Sequence, residues 1–284
     1  MNDRVGLGWR PELAAGILSR LDAIDVVEII ADDYFNAPRT ARRSLSTLAA
    51  QVPVTLHGVS LGMASCSAVE TKRLEKMARL VNEVRPECWS EHLAFVRAGG
   101  IEIGHLAAPP RTEETVGATL ANLATARRIV GAAPQIENIA TLIDPPGSAL
   151  DEPAWLRAIA QDSDGALLLD LHNVHANTVN FGGDPLEFLR ALPLEKVASI
   201  HLAGGKWIGP AGAERLLDDH LHDVPDPVFA LLEEVASRVA QPLTVIIERD
   251  GEYPPIAHLI QQLDRARTAL AQGRARRAPQ PALA

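Results

Sequence analysis

Ala166-Leu167-Leu168-Leu169-Asp170-Leu171-His172-Asn173 is the stretch whose reading decides the fold. An aliphatic run closing on a carboxylate has little structural reason to exist, because aspartate is almost never fully buried unpaired. A strand whose side chains alternate can aim its last inward residue at the mouth of a barrel. The same ending recurs at Leu56-His57, Glu91-His92, Ile136-Glu137, Ile200-His201 and Ile247-Glu248. Carboxylates and imidazoles delivered by many strands to one rim would stay desolvated and repel one another unless metal charge compensated them.

Around these endings the chain alternates short β-rich runs with longer amphipathic stretches, the pattern of parallel strands joined by helices. Strands are expected at 5–9, 26–30, 54–59, 88–95, 135–139, 166–171, 197–202 and 243–249. Helices are expected at 11–21, 39–50, 67–84, 112–130, 152–160, 185–191 and 227–239. Pro11, Pro153, Pro185 and Pro227 suit first helical turns, and Ser67 and Thr112 suit N-caps. Eight such strands in a 284-residue chain predict a single-domain α/β fold, a (β/α)₈ TIM barrel over residues 1–270. Residues 271–284 read as a disordered Ala/Arg/Pro-rich tail with Arg274, Arg276 and Arg277 grouped. Two connections exceed what a lean barrel needs. Segment 99–110 predicts a small hairpin after a Gly99-Gly100 turn. Segment 204–225 carries Trp207 and a glycine-rich stretch suited to a lid over the site.

Composition narrows the function. The hydrophobic fraction of 47% is spread evenly, and no run reaches the roughly 20 apolar residues of a membrane span. No secretory hydrophobic region follows Met1, so a cytoplasmic location is expected. A net charge of −9 argues against nucleic acid as a partner, since phosphate binding rests on Lys and Arg. Cys66 and Cys88 have no Cys-x-x-Cys spacing and read as structural or incidental.

Single residues can then be weighed. His57 alone would be an ordinary core histidine, but Gly58 beside it permits close backbone approach at a barrel mouth. In Ser90-Glu91-His92, alternation separates Glu91 from the other two, which favours His92 as ligand and Glu91 as a wall group. Glu137 can bridge two cations with its two oxygens. Asp170 leads into His172, Asn173 and His175, among which the residues alone do not choose. His201 and Glu248 close their own strands. Asp218 and His220 have the spacing that lets two side chains of an extended segment face one ion, and His222 is a third member or a substrate-side group. His258 follows Pro254-Pro255 in a helical stretch and reads as structural. Mixed carboxylates and imidazoles without thiolate suit iron, manganese or zinc better than copper(I) or an iron–sulfur cluster.

The ordered set His57-Gly58, Ser90-Glu91-His92-Leu93, Glu137-Asn138-Ile139, Leu167-Leu168-Leu169-Asp170, Ile200-His201-Leu202-Ala203-Gly204, Asp218-x-His220 and Ile247-Glu248-Arg249 resembles the multinuclear non-haem iron-dependent oxidative enzymes, formerly the DUF692 family. The likeness runs to about Leu270. It implies a TIM barrel holding two or three irons in mixed Fe(II)/Fe(III) state, with dioxygen as co-substrate. It implies modification of a ribosomally made precursor peptide, usually at cysteine, with a small partner protein that binds the leader segment. By the same resemblance His57, His92, Glu137, Asp170, Asn173, His201, Asp218, His220 and Glu248 are the metal ligands, Glu137 bridges, and Glu137, Asp170 and His220 are the catalytic candidates. His172, His175 and His222 remain additional metal or substrate residues. The chain departs from the family in three places: Gly205 stands where a His is frequent, His172-Asn173 replaces Asn-Asn, and Glu248-Arg249-Asp250 replaces Glu-Trp-Asp. Two rival readings use the same donors: a trinuclear zinc phosphodiester hydrolase or sugar isomerase-like barrel, and a metal-loaded scaffold that binds a peptide without transforming it.

Overall fold

The structure, a computed structural model, describes residues 2–98 and 100–277. Strands β1 (Arg4–Trp9), β2 (Val27–Ile30), β3 (Val54–Gly58) and β4 (Trp89–His92) precede an antiparallel hairpin of β5 (Phe95–Ala98) and β6 (Ile101–Ala107). Then follow β7 (Gln135–Glu137), β8 (Leu167–Asp170), β9 (Val197–Leu202), a second hairpin of β10 (Gly204–Ile208) and β11 (Arg215–His222), and β12 (Thr244–Ile247). The strands outside the hairpins close a parallel barrel in the order β1-β12-β9-β8-β7-β4-β3-β2, as the alternating pattern predicts. The helices are α1 (Ala14–Ser19), α2 (Arg39–Ala49), α3 (Thr71–Val84), α4 (Glu113–Val130), α5 (Glu152–Asp162), α6 (Leu171–Phe181), α7 (Pro185–Ala191), α8 (Asp226–Arg238) and α9 (Ile256–Arg276).

Parallel register sets the level of the site. It places His57 opposite Ser90, His92 opposite Glu137 and Asp170 opposite His201. Residues one step away, among them Leu56, Ile136, Leu169 and Ile200, join the helix residues Leu74, Met77 and Leu232 in one continuous apolar core. The period of two thus divides each strand between a packing face and a chemical face.

Local chemistry sets most boundaries. Thr112 caps α4 through a reciprocal bond with Thr115, and Gly131 ends that helix at φ 90°, where a residue without Cβ meets no steric penalty. Asp151 caps α5 by accepting from the Ala154 amide. Ser67, expected to cap α3, does not: the helix starts at Thr71 behind Glu70, with no side-chain cap. The strand expected at 135–139 ends at Glu137 because Asn138 takes over its pairing. The Asn138 side chain accepts from Asp170 N at 2.9 Å and donates to Asp170 O at 3.0 Å, so a side-chain amide continues the ladder. The strand expected at 88–95 breaks after His92, and Phe95 opens the hairpin. That hairpin was expected; of its Gly99-Gly100 turn, Gly99 lies outside the described residues.

Three features correct the sequence reading. Helix α6 begins directly after Asp170, whose side chain caps it by accepting from Asn173 N at 2.6 Å. The segment around Trp207 is a paired hairpin, with Trp207 opposite Leu216. The tail boundary at 271 is also too early, since Ala271–Arg276 are the last turns of α9. Gly273 lets α9 approach α8 so closely that a Cβ there would sit 2.2 Å from Glu233 O. Arg274 then ties this end to Asp3 and to the carbonyls of Val239 and Gln241. Residues 278–284 of the expected tail lie outside the described residues. No described helix is long and apolar enough to cross a membrane.

Candidate metal centre

Six strand ends meet in one buried cluster. His57 Nε2 and His92 Nε2 each lie 3.3 Å from Glu137 Oε2. His201 Nδ1 lies 3.0 Å from both Glu137 Oε1 and Glu248 Oε2. Donor atoms of His57, His92 and Glu137 fall within 4.8 Å of one another, as do those of His57, His201 and Glu248, and those of Glu137, Asp170, His201 and Glu248. Glu137 belongs to two of these groups and turns a different oxygen to each.

The distal nitrogens of the imidazoles are tied back to the barrel. The His92 Nδ1 sits 3.2 Å from the Gly58 carbonyl, which can only accept, so Nδ1 carries a proton and Nε2 is the nitrogen left for a cation. For His57 the Nδ1 is 2.8 Å from Ser90 Oγ, whose hydroxyl is itself placed to donate to Leu56 O. His57 therefore presents a lone pair at Nε2. Outer partners that fix tautomer and ring plane in this way are characteristic of metal-ligating histidine.

The bare acceptors support cations most directly. Glu137 Oε2, Asp170 Oδ2 and Asn173 Oδ1 are buried without a hydrogen-bond partner among the described residues. Asn173 donates its amide to Asn138 O at 3.0 Å, which leaves its oxygen free. Each buried unsatisfied polar group costs about 1–3 kcal/mol, and more when charged. Proximity to three acidic neighbours sharpens the demand at Asp170. Burial, followed by the charges of Asp218 and Glu137, pushes its carboxyl well above the usual range. Burial also opposes protonation of His92, but Glu137 and Glu91 outweigh it and hold the imidazole up at about 9. Burial lowers His57, with Glu137 opposing. Burial likewise disfavours ionised Glu248, yet His201 and His220 bring it well below its usual value. A carboxylate-rich, imidazole-rich cluster with bare oxygens fits hard or borderline divalent cations.

Asp218 and His220 form the lip of this cluster. They lie on β11, where His220 adopts φ 56° and folds its Nε2 to within 2.9 Å of Asp218 Oδ1. The His220 Nδ1 is 3.7 Å from Glu248 Oε2 and 3.2 Å from Asp250 Oδ2, and Arg10 Nε donates to Asp250 at 2.9 Å. His172, fully buried on α6, reaches Asp218 from the other side at 2.8 Å. His175 stands apart, its ring 6.3 Å from that of His172. His222 is half-buried and pairs with Asp219, outside the cluster.

Glu28 is the residue that sequence reasoning missed. It is buried on β2, and its Oε1 lies 2.9 Å from His201 Nε2. The signal was present: a glutamate within Val26-Val27-Glu28-Ile29-Ile30 is as anomalous as Asp170 in its leucines. It went unread because it sits inside its strand and not at the end. Glu91 is a wall group as expected, accepting from the His92 and Leu61 amides. His258 pairs with Asp223 away from the site. Cys66 is exposed, and burial pushes the Cys88 thiol up to about 12, so neither resembles an activated nucleophile.

A cavity of about 580 Å³ opens onto the cluster, with His92, Glu137, Asn173, Asp218 and His220 at its polar end. Its other walls are largely aliphatic, including Ile139, Leu142, Ile143 and Leu217, and His105 of β6 also lines it. Trp207, expected over the site, is 60% exposed and does not line this cavity. Leu216 and Leu217 of the facing strand do so instead.

Solved structures of similar fold include a D-psicose 3-epimerase from Clostridium cellulolyticum H10 (TM-score 0.60, 10% identity, covering 97% of this chain and 100% of that one). An L-ribulose 3-epimerase matches with TM-score 0.60 and 15% identity over 98% of this chain and 100% of its own. At such identities the likeness is one of fold. Among curated relatives, a UPF0276 protein of Streptomyces avermitilis is 36% identical over 273 residues, and the chain spans 93% of itself but 54% of that protein's length. A UPF0276 protein of Caulobacter vibrioides is 33% identical over 273 residues, 96% of both chains. Residues 4–271 match the family described as RiPP precursor modification enzyme MbnB/TglH/ChrH. The chain therefore belongs to the MbnB/TglH/ChrH family of RiPP precursor modification enzymes, formerly called DUF692.

Proposed function

We propose that this chain holds two or three iron ions at the barrel mouth and, with dioxygen as co-substrate, oxidatively modifies a cysteine of a ribosomally made precursor peptide. The observation that carries the metal reading is the set of buried, partnerless oxygens on Glu137, Asp170 and Asn173 around shared imidazoles. His57, His92, Glu137, Asp170, Asn173, His201, Asp218, His220 and Glu248 are the ligands in this reading. Bound iron would supply a Lewis-acidic seat for a thiolate and the redox capacity that dioxygen chemistry needs.

The chain's own residues do the remaining work. The barrel holds donors at fixed separations, so little reorganisation is needed when charge develops. Ser90 Oγ holds the His57 ring, and Gly58 O the His92 ring, with Nε2 facing inward. The aliphatic cavity walls would exclude water beside the reacting side chain. Delivery of the leader segment falls to a small partner protein, an assignment that rests on the family resemblance.

Metal analysis and an optical spectrum of anaerobically purified protein test the reading, together with the mass of a co-expressed precursor peptide encoded beside this gene. Two or more irons per chain and an oxygen-dependent mass change in a cysteine support it. Zinc with phosphodiester hydrolysis or sugar isomerisation would replace it with the hydrolase or isomerase reading. Bound metal with an unchanged peptide would leave a binding scaffold.

A further inference from the structure

The ligand set above leaves His172 without a task, although it is fully buried and beside the lip. We propose that His172 is a positioning residue: through Nδ1 it orients Asp218 toward an outer cation and anchors the β10–β11 hairpin to the barrel, without itself coordinating. This rests on the metal-centre reading above. An ionised carboxylate can only accept, so the 2.8 Å contact with Asp218 Oδ1 places the proton on Nδ1 of His172. The Nε2 atom is buried and has no partner among the described residues, and it faces Gly205 of β10. A Cβ on Gly205 would sit 2.8 Å from His172 Cε1 and 3.0 Å from Nε2. Glycine at 205 thus makes room for the imidazole.

The anchoring follows from which elements carry the two residues. Asp218 rides on β11, and its other close partner, His220, lies on the same strand. A contact within one hairpin cannot fix that hairpin over the barrel. His172 belongs to α6, which leaves the barrel directly at Asp170. The same helix grips β11 a second time, where the Asn180 side chain donates to Leu216 O at 2.9 Å and accepts from Leu216 N at 2.7 Å. With a cation seated between Asp218 and His220, the bond from His172 is the one that still holds the carboxylate from the barrel side.

Isosteres separate this role from coordination. Asparagine places its amide where Nδ1 stands, whereas glutamine reaches the position of Nε2. Full-length wild-type protein and the variants His172→Asn, His172→Gln and His172→Leu would be loaded anaerobically with ferrous iron. Metal per chain and the chelator concentration that strips the weakest-bound equivalent would then be measured, with EPR of the loaded centres as a signature. His172→Asn should hold that equivalent like wild type. His172→Gln and His172→Leu should release it about 10–100-fold more readily, the usual cost of losing an outer partner, while the tighter equivalents stay unchanged. Retention by Gln with loss in Asn would make Nε2 a ligand and overturn the proposal. Equal behaviour of all three variants, whether wild-type or uniformly impaired, would also overturn it. If the leucine variant does not fold, the Asn and Gln pair still decides. Wild type that takes up no metal would instead sink the metal-centre reading, a result distinguishable from any difference among variants.

Discussion

The inner cluster and the lip use the same side-chain types but hold them differently. His57, His92 and Glu137 stand on neighbouring parallel strands, and the outer nitrogens of the two imidazoles meet barrel-borne groups, Ser90 Oγ and Gly58 O. Asp218 and His220 stand on a hairpin and are held chiefly by other side chains: His172, Asp250 and, through Asp250, Arg10. A donor set by register cannot shift without breaking the sheet, whereas one set by side-chain contacts can swing. The inner positions should therefore bind tightly and the lip exchange more readily.

The sharpest break of this contrast is Glu137→Gln, which removes the oxygen shared between two groups. It should empty at least one inner position and reduce peptide modification by more than the ~10–100-fold expected for an outer partner. Iron per chain and product mass check this, and wild-type values in both would end the bridging role. Next in size is graded chelation of the loaded protein. One equivalent should leave first, with spectral changes attributable to the lip, while Asp218→Asn should lack that early phase from the start. Simultaneous loss of all metal would erase the distinction between the two regions. Glu28→Gln should weaken inner binding by about 10–100-fold through His201, with little change in the early-leaving equivalent.

The smallest effect concerns a carboxyl outside both regions. Glu152 is raised to about 7 by burial, which Arg111 and Asn177 only partly offset. A carboxyl raised in the fold contributes its stability below its unfolded value, about 4.5, and loses it as pH climbs through about 7. Glu152→Gln should flatten that decline, by about 2–4 °C in Tm if about 1 kcal/mol is involved. The change should be the same with and without metal. Melting curves across that pH window decide it, and metal dependence would place Glu152 in the site's network.

Much of this was legible along the chain because a strand declares itself through local alternation. His57, His92, Glu137, Asp170, His201 and Glu248 all stand at or next to strand ends, and the structure brings these six together. Glu28 escaped that logic because it interrupts a strand and does not end one. Helix α6 escaped because Asp170 serves as both strand end and helix cap, leaving no turn residues to mark the change. The β10–β11 hairpin escaped because pairing Trp207 with Leu216 across its Gly-Pro and Gly-rich tip is a non-local event, and the tail escaped because Gly273 earns its place only against α8.

By itself, the sequence determined the barrel and the order in which imidazoles and carboxylates are delivered to its rim, since period and run length are properties of neighbouring residues. Only the tertiary structure decided which donors share Glu137, which nitrogen of each inner histidine faces inward, and that His172 meets Asp218 over Gly205. Those outcomes depend on distances between residues far apart in the chain, set by register and close packing and not by any local pattern.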